Sequence, residues 1–95
     1  MFKIELFFNE TLEESELRKI GAIIDEFFAE DNIKKVDKTL TSRTYYDTGY
    51  DRDFGKMWAS LCQIKNTMDY SKFIKEAYWY ENSEKEDLVI EFFGR

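Results

Sequence analysis

Histidine and proline are absent from the 95 residues, and cysteine occurs once. Without histidine the commonest general base, the Ser/His and Cys/His nucleophile pairs and the usual zinc ligand are all missing. The lone Cys62 excludes an intramolecular disulfide. Without proline, no segment is marked as a linker. The four glycines stand apart at Gly21, Gly49, Gly55 and Gly94, so no glycine-rich phosphate loop can form. No stretch approaches the roughly 18 apolar residues of a membrane span, and Met1 to Glu5 carry no signal-peptide apolar run. There is no internal repeat and no low-complexity tract. These absences point to one soluble, cytoplasmic domain over residues 1–95.

What is present builds a core. The chain is 43% hydrophobic, with nine Phe, six Tyr and two Trp. A domain of this size buries roughly 60–70% of its unfolded surface, enough for one core without staples. So many rings are not easily hidden in one core layer, and the surplus is expected to form partner surface.

The net charge of −6 is unevenly placed. Residues 10–31 carry Glu10, Glu13, Glu14, Glu16, Asp25, Glu26, Glu30 and Asp31 against Arg18 and Lys19. Residues 32–46 form a basic strip of Lys34, Lys35, Lys38 and Arg43 against Asp37, and acid returns after residue 69. Phosphate affinity comes from Lys and Arg, so this balance argues against direct nucleic-acid binding by the whole surface.

The strongest local signal is Thr11 to Asp31. Leu17, Ile20, Gly21, Ile24, Phe27 and Phe28 recur at helical spacing and form one apolar stripe. Thr11 with Glu14 reads as a capping box, and Asn32 suits a left-handed helix end. The stripe predicts that Phe27, like Leu61 of a second helix, is fully buried. Upstream, Phe2, Ile4, Leu6 and Phe8 alternate with other residues as a strand with one buried face. Residues 33–46 are β-rich and read as one strand or as a hairpin bent near Lys38–Ser42, although no glycine marks a turn. Val36, Leu40, Ser42, Thr44 and Tyr46 would share one face, and Arg43 and Tyr45 the other. Residues 47–53 are a polar loop, and Asp53 is placed to N-cap a helix reaching about Asn66, with Phe54, Met57, Trp58, Leu61, Ile64 and Met68 at helical spacing. Residues 69–80 fit helix or strand; a short turn from Ser71 followed by a strand over Ala77–Glu81 is the preferred reading. Asn82–Lys85 then turn, and Leu88, Ile90 and Phe92 alternate as a final strand before Gly94-Arg95 frays.

The expected fold is α+β: an antiparallel sheet of four to five strands with two helices on one face, in the order β-α-β(β)-α-β-β. With residues 33–46 as a hairpin it approaches the split βαβ, ferredoxin-like sandwich.

No residues converge for acid–base chemistry, so the chain is read as a non-enzyme that needs no cofactor. Asp47, Asp51 and Asp53 do not match the alternating ligand spacing of a calcium loop and read as a polar loop ending in a cap; no metal is expected. Cys62, next to the apolar stripe, reads as a buried structural thiol. Two groups are left as candidate partner-binding residues. One is the acid of the long helix: Glu13, Glu14, Glu16, Asp25, Glu26, Glu30 and Asp31. The other is the aromatic run Tyr78, Trp79 and Tyr80, since such rings are favoured interface anchors. Fixed carboxylates steer a basic protein at long range. The expectation is therefore a small acidic binding protein that inhibits a nucleic-acid-handling protein, of the anti-restriction or anti-CRISPR type encoded by mobile elements, by mimicking DNA charge. The alternative is a structural or regulatory homodimer joined through its aromatic strands.

Overall fold

In the computed structural model, residues 2–50, 52–67 and 69–94 are described, without the side chains of residues 70 and 71. Asp51, Met68 and Arg95, named above, lie outside this set, as does the side chain of Ser71. The elements run β1 (Phe2–Phe8), α1 (Glu14–Glu30), β2 (Val36–Lys38), β3 (Ser42–Tyr46), α2 (Arg52–Thr67), α3 (Tyr70–Phe73), β4 (Ile74–Glu81), β5 (Glu84–Asp87) and α4 (Leu88–Glu91). The strands form one antiparallel sheet in the order β2-β3-β1-β4-β5. Its first four members reproduce the interleaved order of the split βαβ sandwich, and β5 adds a hairpin at one edge.

Alternation in β1 sends Ile4, Leu6 and Phe8 into the core. They meet Leu17, Ile20, Ile24 and Phe28 from α1, Met57, Leu61 and Ile64 from α2, and Tyr45, Ala77 and Trp79 from the flanking strands. Leu88 and Phe93, around α4, close one end of the same cluster. Every helix-borne core residue thus lies against one sheet face, and the other face is left without a helix.

Several local expectations are corrected. Helix α1 starts at Glu14 with Glu13 as its N-cap residue, not Thr11. Thr11 is held instead by Asn9, whose Oδ1 accepts from both its backbone N–H and its hydroxyl. Phe27 is only half-buried; Phe28, on the true centre of the stripe, is fully buried and stacks on Tyr45 with ring centroids 3.8 Å apart. Residues 33–46 form a hairpin in which Val36 pairs with Tyr45, so Val36 shares the helix-facing side rather than that of Thr44 and Tyr46. Residues 88–93 are a one-turn helix and tail, not a strand. Asp87 caps α4 by accepting from the N–H groups of Val89 and Ile90. Cys62 is exposed, because the buried stripe of α2 runs through Met57, Ser60, Leu61 and Ile64 and leaves position 62 on the outer side. Asn32 does adopt the left-handed conformation, at φ 63°.

The sheet is joined to α1 by a buried polar contact. Arg43 reaches from β3 to Asp25, its Nε 3.1 Å from Oδ1. Its Nη1 donates to the carbonyls of Thr39 and Ser42. The guanidinium lies across α1 at Gly21, where a Cβ would sit 2.1 Å from Nη2.

Two substitutions follow. Phe28→Ala should cost about 3–5 kcal/mol in urea unfolding, and the half-buried Phe27→Ala clearly less. Gly21→Ala, which in an open helix interior gains about 1 kcal/mol, should here destabilise the protein because Arg43 is pinned and cannot yield. Equal losses at positions 27 and 28, or a stabilised Gly21→Ala variant, would contradict this packing.

Candidate functional site

The uncovered sheet face is built by the residues that alternate with the core. From β1 come Lys3, Glu5 and Phe7; from β3, Thr44 and Tyr46; from β4, Tyr78 and Tyr80. Lys3 faces Tyr46 on one side and Tyr80 on the other, and Glu5 lies between Thr44 and Tyr78. Beyond β4, Tyr78 pairs with Asp87 and Tyr80 with Lys85.

Each tyrosine on this face donates its hydroxyl to a carboxylate. Tyr46 reaches Asp37 at 2.7 Å, Tyr80 reaches Glu5 at 3.0 Å and Tyr78 reaches Glu76 at 3.3 Å. Cations sit over the same rings: Lys3 lies 4.6 Å from the Tyr80 centroid, Lys85 4.1 Å from that of Tyr78, and Lys35 5.2 Å from that of Tyr46. A cleft of about 260 Å³ runs between Tyr46 and Tyr80 over Lys3. Of the β4–β5 hairpin, Lys85 and Asp87 share this face, whereas the exposed Glu81, Glu84 and Glu86 alternate onto the helix-facing side, where Glu81 pairs with Phe2 and Glu86 with Trp79. The result is a flat, aromatic, charge-laced surface held by its own hydrogen bonds.

All three phenols are pushed above their ordinary range. At Tyr46 the hydrogen bond to Asp37 is the main cause; at Tyr78 and Tyr80 loss of solvent comes first, reinforced by Glu76 and Glu5 respectively. Tyr45, on the core side, is pushed up further by burial and then by Asp25, to which its hydroxyl donates.

The candidate residues separate into three groups. Glu13, Glu14, Glu16, Glu26 and Glu30 are exposed on α1 or at its start, with Glu14 tied to Arg18 one turn on. Asp25 and Asp31 are turned inward: Asp25 holds Arg43, Lys38 and Tyr45, and Asp31 accepts from the Ser60 hydroxyl at 2.7 Å. Tyr78 and Tyr80 lie on the uncovered face, while Trp79 between them is in the core, stacked on Trp58 at 4.9 Å. The α1 acids and the two tyrosines therefore occupy opposite layers of the molecule and do not form one patch. Tyr46, Glu5 and Lys3 complete the tyrosine surface; their alternation in the strands was the available signal, but which face stays uncovered is a tertiary fact.

Asp47 and Asp53 are held by internal hydrogen bonds, and Asp53 lies inside α2, one residue after its start at Arg52, rather than at the expected N-cap position. Asp53 is buried and accepts from both the backbone N–H and the hydroxyl of Thr48. These bonds hold its carboxyl below the usual range. Asp47 accepts from the N–H of Phe2, and its other oxygen is buried without a hydrogen-bond partner among the described residues. No group of three or more His, Cys, Asp or Glu among the described residues is placed to hold a metal ion. No helix among them is long and apolar enough to cross a membrane. No family model, no curated protein and no solved structure matches the chain.

The raised phenols set a pH dependence. Unfolded tyrosines ionise near pH 10. In the folded chain Tyr45, Tyr46, Tyr78 and Tyr80 hold their protons to higher pH, so their contribution to stability is complete below about pH 10 and is lost as pH rises through the folded values. A phenolate absorbance titration should show these groups ionising late, and Glu5→Gln should bring Tyr80 down toward the ordinary value. A Tyr80 titration unmoved by Glu5→Gln would remove the hydrogen bond as a cause.

Proposed function

We propose that this is a non-enzymatic binding protein whose uncovered sheet face docks on a basic protein, most specifically as an inhibitor that occupies the basic cleft of a nucleic-acid-handling protein. The observation that carries the reading is the row of tyrosines on an uncovered face, each hydroxyl bonded to a carboxylate. Tyr78 and Tyr80 offer large rigid contact area of the kind found at interface hot spots. Glu5, Asp37 and Glu76 offer the charge that a cleft lined by Arg and Lys seeks. The exposed acids of α1 face another direction; they add to long-range attraction and leave the contact itself to the sheet.

The experiment is to identify what co-purifies from the native host and then to measure its binding kinetics against variants. Reversing Asp37 and Glu76 to Lys should slow association and flatten its salt dependence, because screening shortens to about 8 Å near 0.15 M. Tyr80→Ala should raise the off-rate by roughly 10-fold or more. Glu26→Lys with Glu30→Lys should have a much smaller effect on the off-rate. The converse pattern, with α1 reversals dominant, would move the contact to the helical layer. Self-association that survives high salt and fails in Tyr80→Ala would make the same face a homodimer interface.

A further inference from the structure

Lys38 and Arg43 of the basic strip lie away from that contact and converge with Arg18 of α1 on a place of their own. On the helical side, between α1 and the turn joining β2 to β3, opens a cleft of about 340 Å³ lined by Arg18, Lys38, Thr39, Leu40 and Arg43. Such a volume is at the small end of small-molecule sites, which span about 300–1,000 Å³. Three of its five lining residues are cations, in a chain of net charge −6.

The local charges do not cancel. Asp25 is shared by Arg43 and Lys38, its Oδ2 3.3 Å from Lys38 Nζ, so one carboxylate faces two positive groups. Arg18 turns to Glu14, but that pair is widely exposed, with side chains 71% and 63% accessible, and solvent screens it. Arg43 differs from the other two. Its side chain is only 9% accessible, and its Nε and Nη1 are held by Asp25 and by the carbonyls of the turn. It is a fixed positive charge in the cleft wall, ordered before any ligand arrives, which lowers the cost of binding. Lys38 and Arg18 are the exposed donors at the mouth, each sharing its charge with Asp25 or Glu14, and a Lys or Arg near an oxyanion makes short, charge-assisted hydrogen bonds.

We propose that this cleft binds a compact oxyanion, the phosphate of a small molecule or a carboxylate group, through Lys38 and Arg18 over the fixed charge of Arg43. The site is independent of the sheet-face contact, and either can fail without the other. To test it, isotope-labelled full-length protein is titrated with inorganic phosphate and separately with acetate, at constant ionic strength kept with chloride, and amide resonances are followed. Saturable shifts confined to Arg18 and to residues 38–41, at low millimolar phosphate, are the expected result. Tighter phosphate than acetate assigns a phosphate ligand; the reverse assigns a carboxylate. Lys38→Gln combined with Arg18→Gln should weaken binding by roughly 10-fold or more, as expected for loss of charged donors, while the dispersed spectrum shows the fold intact and Lys72→Gln changes nothing. Shifts that grow linearly and equally with every anion, or saturable shifts that persist in the double variant, would overturn the site.

Discussion

One carboxylate fastens the long helix to the sheet. Asp25 receives the guanidinium of Arg43, the hydroxyl of Tyr45 and the ammonium of Lys38. A buried cation without its partner is costly, so once Arg43 points inward the helix must present an acid at this turn and no side chain at Gly21. The stacking of Phe28 on Tyr45 then fixes the same strand against the next turns of α1. Arg43 also completes the β2–β3 turn by binding the carbonyls of Thr39 and Ser42, while the hydroxyls of those two residues meet at 2.6 Å. A hairpin without glycine is possible here because side chains, not turn dihedrals, hold it closed.

This explains which parts of the molecule were legible in its sequence. β1 and α1 each bury one face, so period two and period 3.6 show through directly. The hairpin was ambiguous because its closing device is an arginine bonded to carbonyls one and four residues before it rather than an Asn-Gly pair. The C-terminal segment misled for a sharper reason. Leu88, Ile90 and Phe92 alternate like a strand, yet Asp87 captures two N–H groups and winds the chain into a turn that buries Leu88 and Phe93 and leaves Ile90 in solvent. Local hydrogen bonding by an Asx side chain overrode periodicity. The candidate site was legible where it depended on strand alternation, as at Tyr78 and Tyr80. It was not legible at Asp25 and Asp31, whose partners lie 13 to 29 residues away in sequence and which look like any other acid in a helix run.

The sheet order also sorts the charges. β2, within the basic strip, and β5, within the acidic hairpin, are the two edges. The sheet therefore carries opposite signs at its two rims. Such a molecule orients as it approaches a charged surface, so the direction of docking is selected before contact, separately from how tightly the contact holds. Short, charged edge strands further discourage pairing with a second sheet.

The aromatic knot at the other end of the core has an optical consequence. Trp58 and Trp79 stack on each other, with Phe2 and Phe54 around Trp79 and Phe92 beside Trp58. All indole emission therefore originates from one spot, where β1, β4, α2 and the C-terminal tail meet, on the other side of β1 from Tyr45. Indole fluorescence reports the undocking of that tail, whereas the β2–β3 hairpin carries tyrosines, Tyr45 and Tyr46, and no indole. Comparing indole emission with a backbone signal therefore shows whether the hairpin and the tail melt as a single unit.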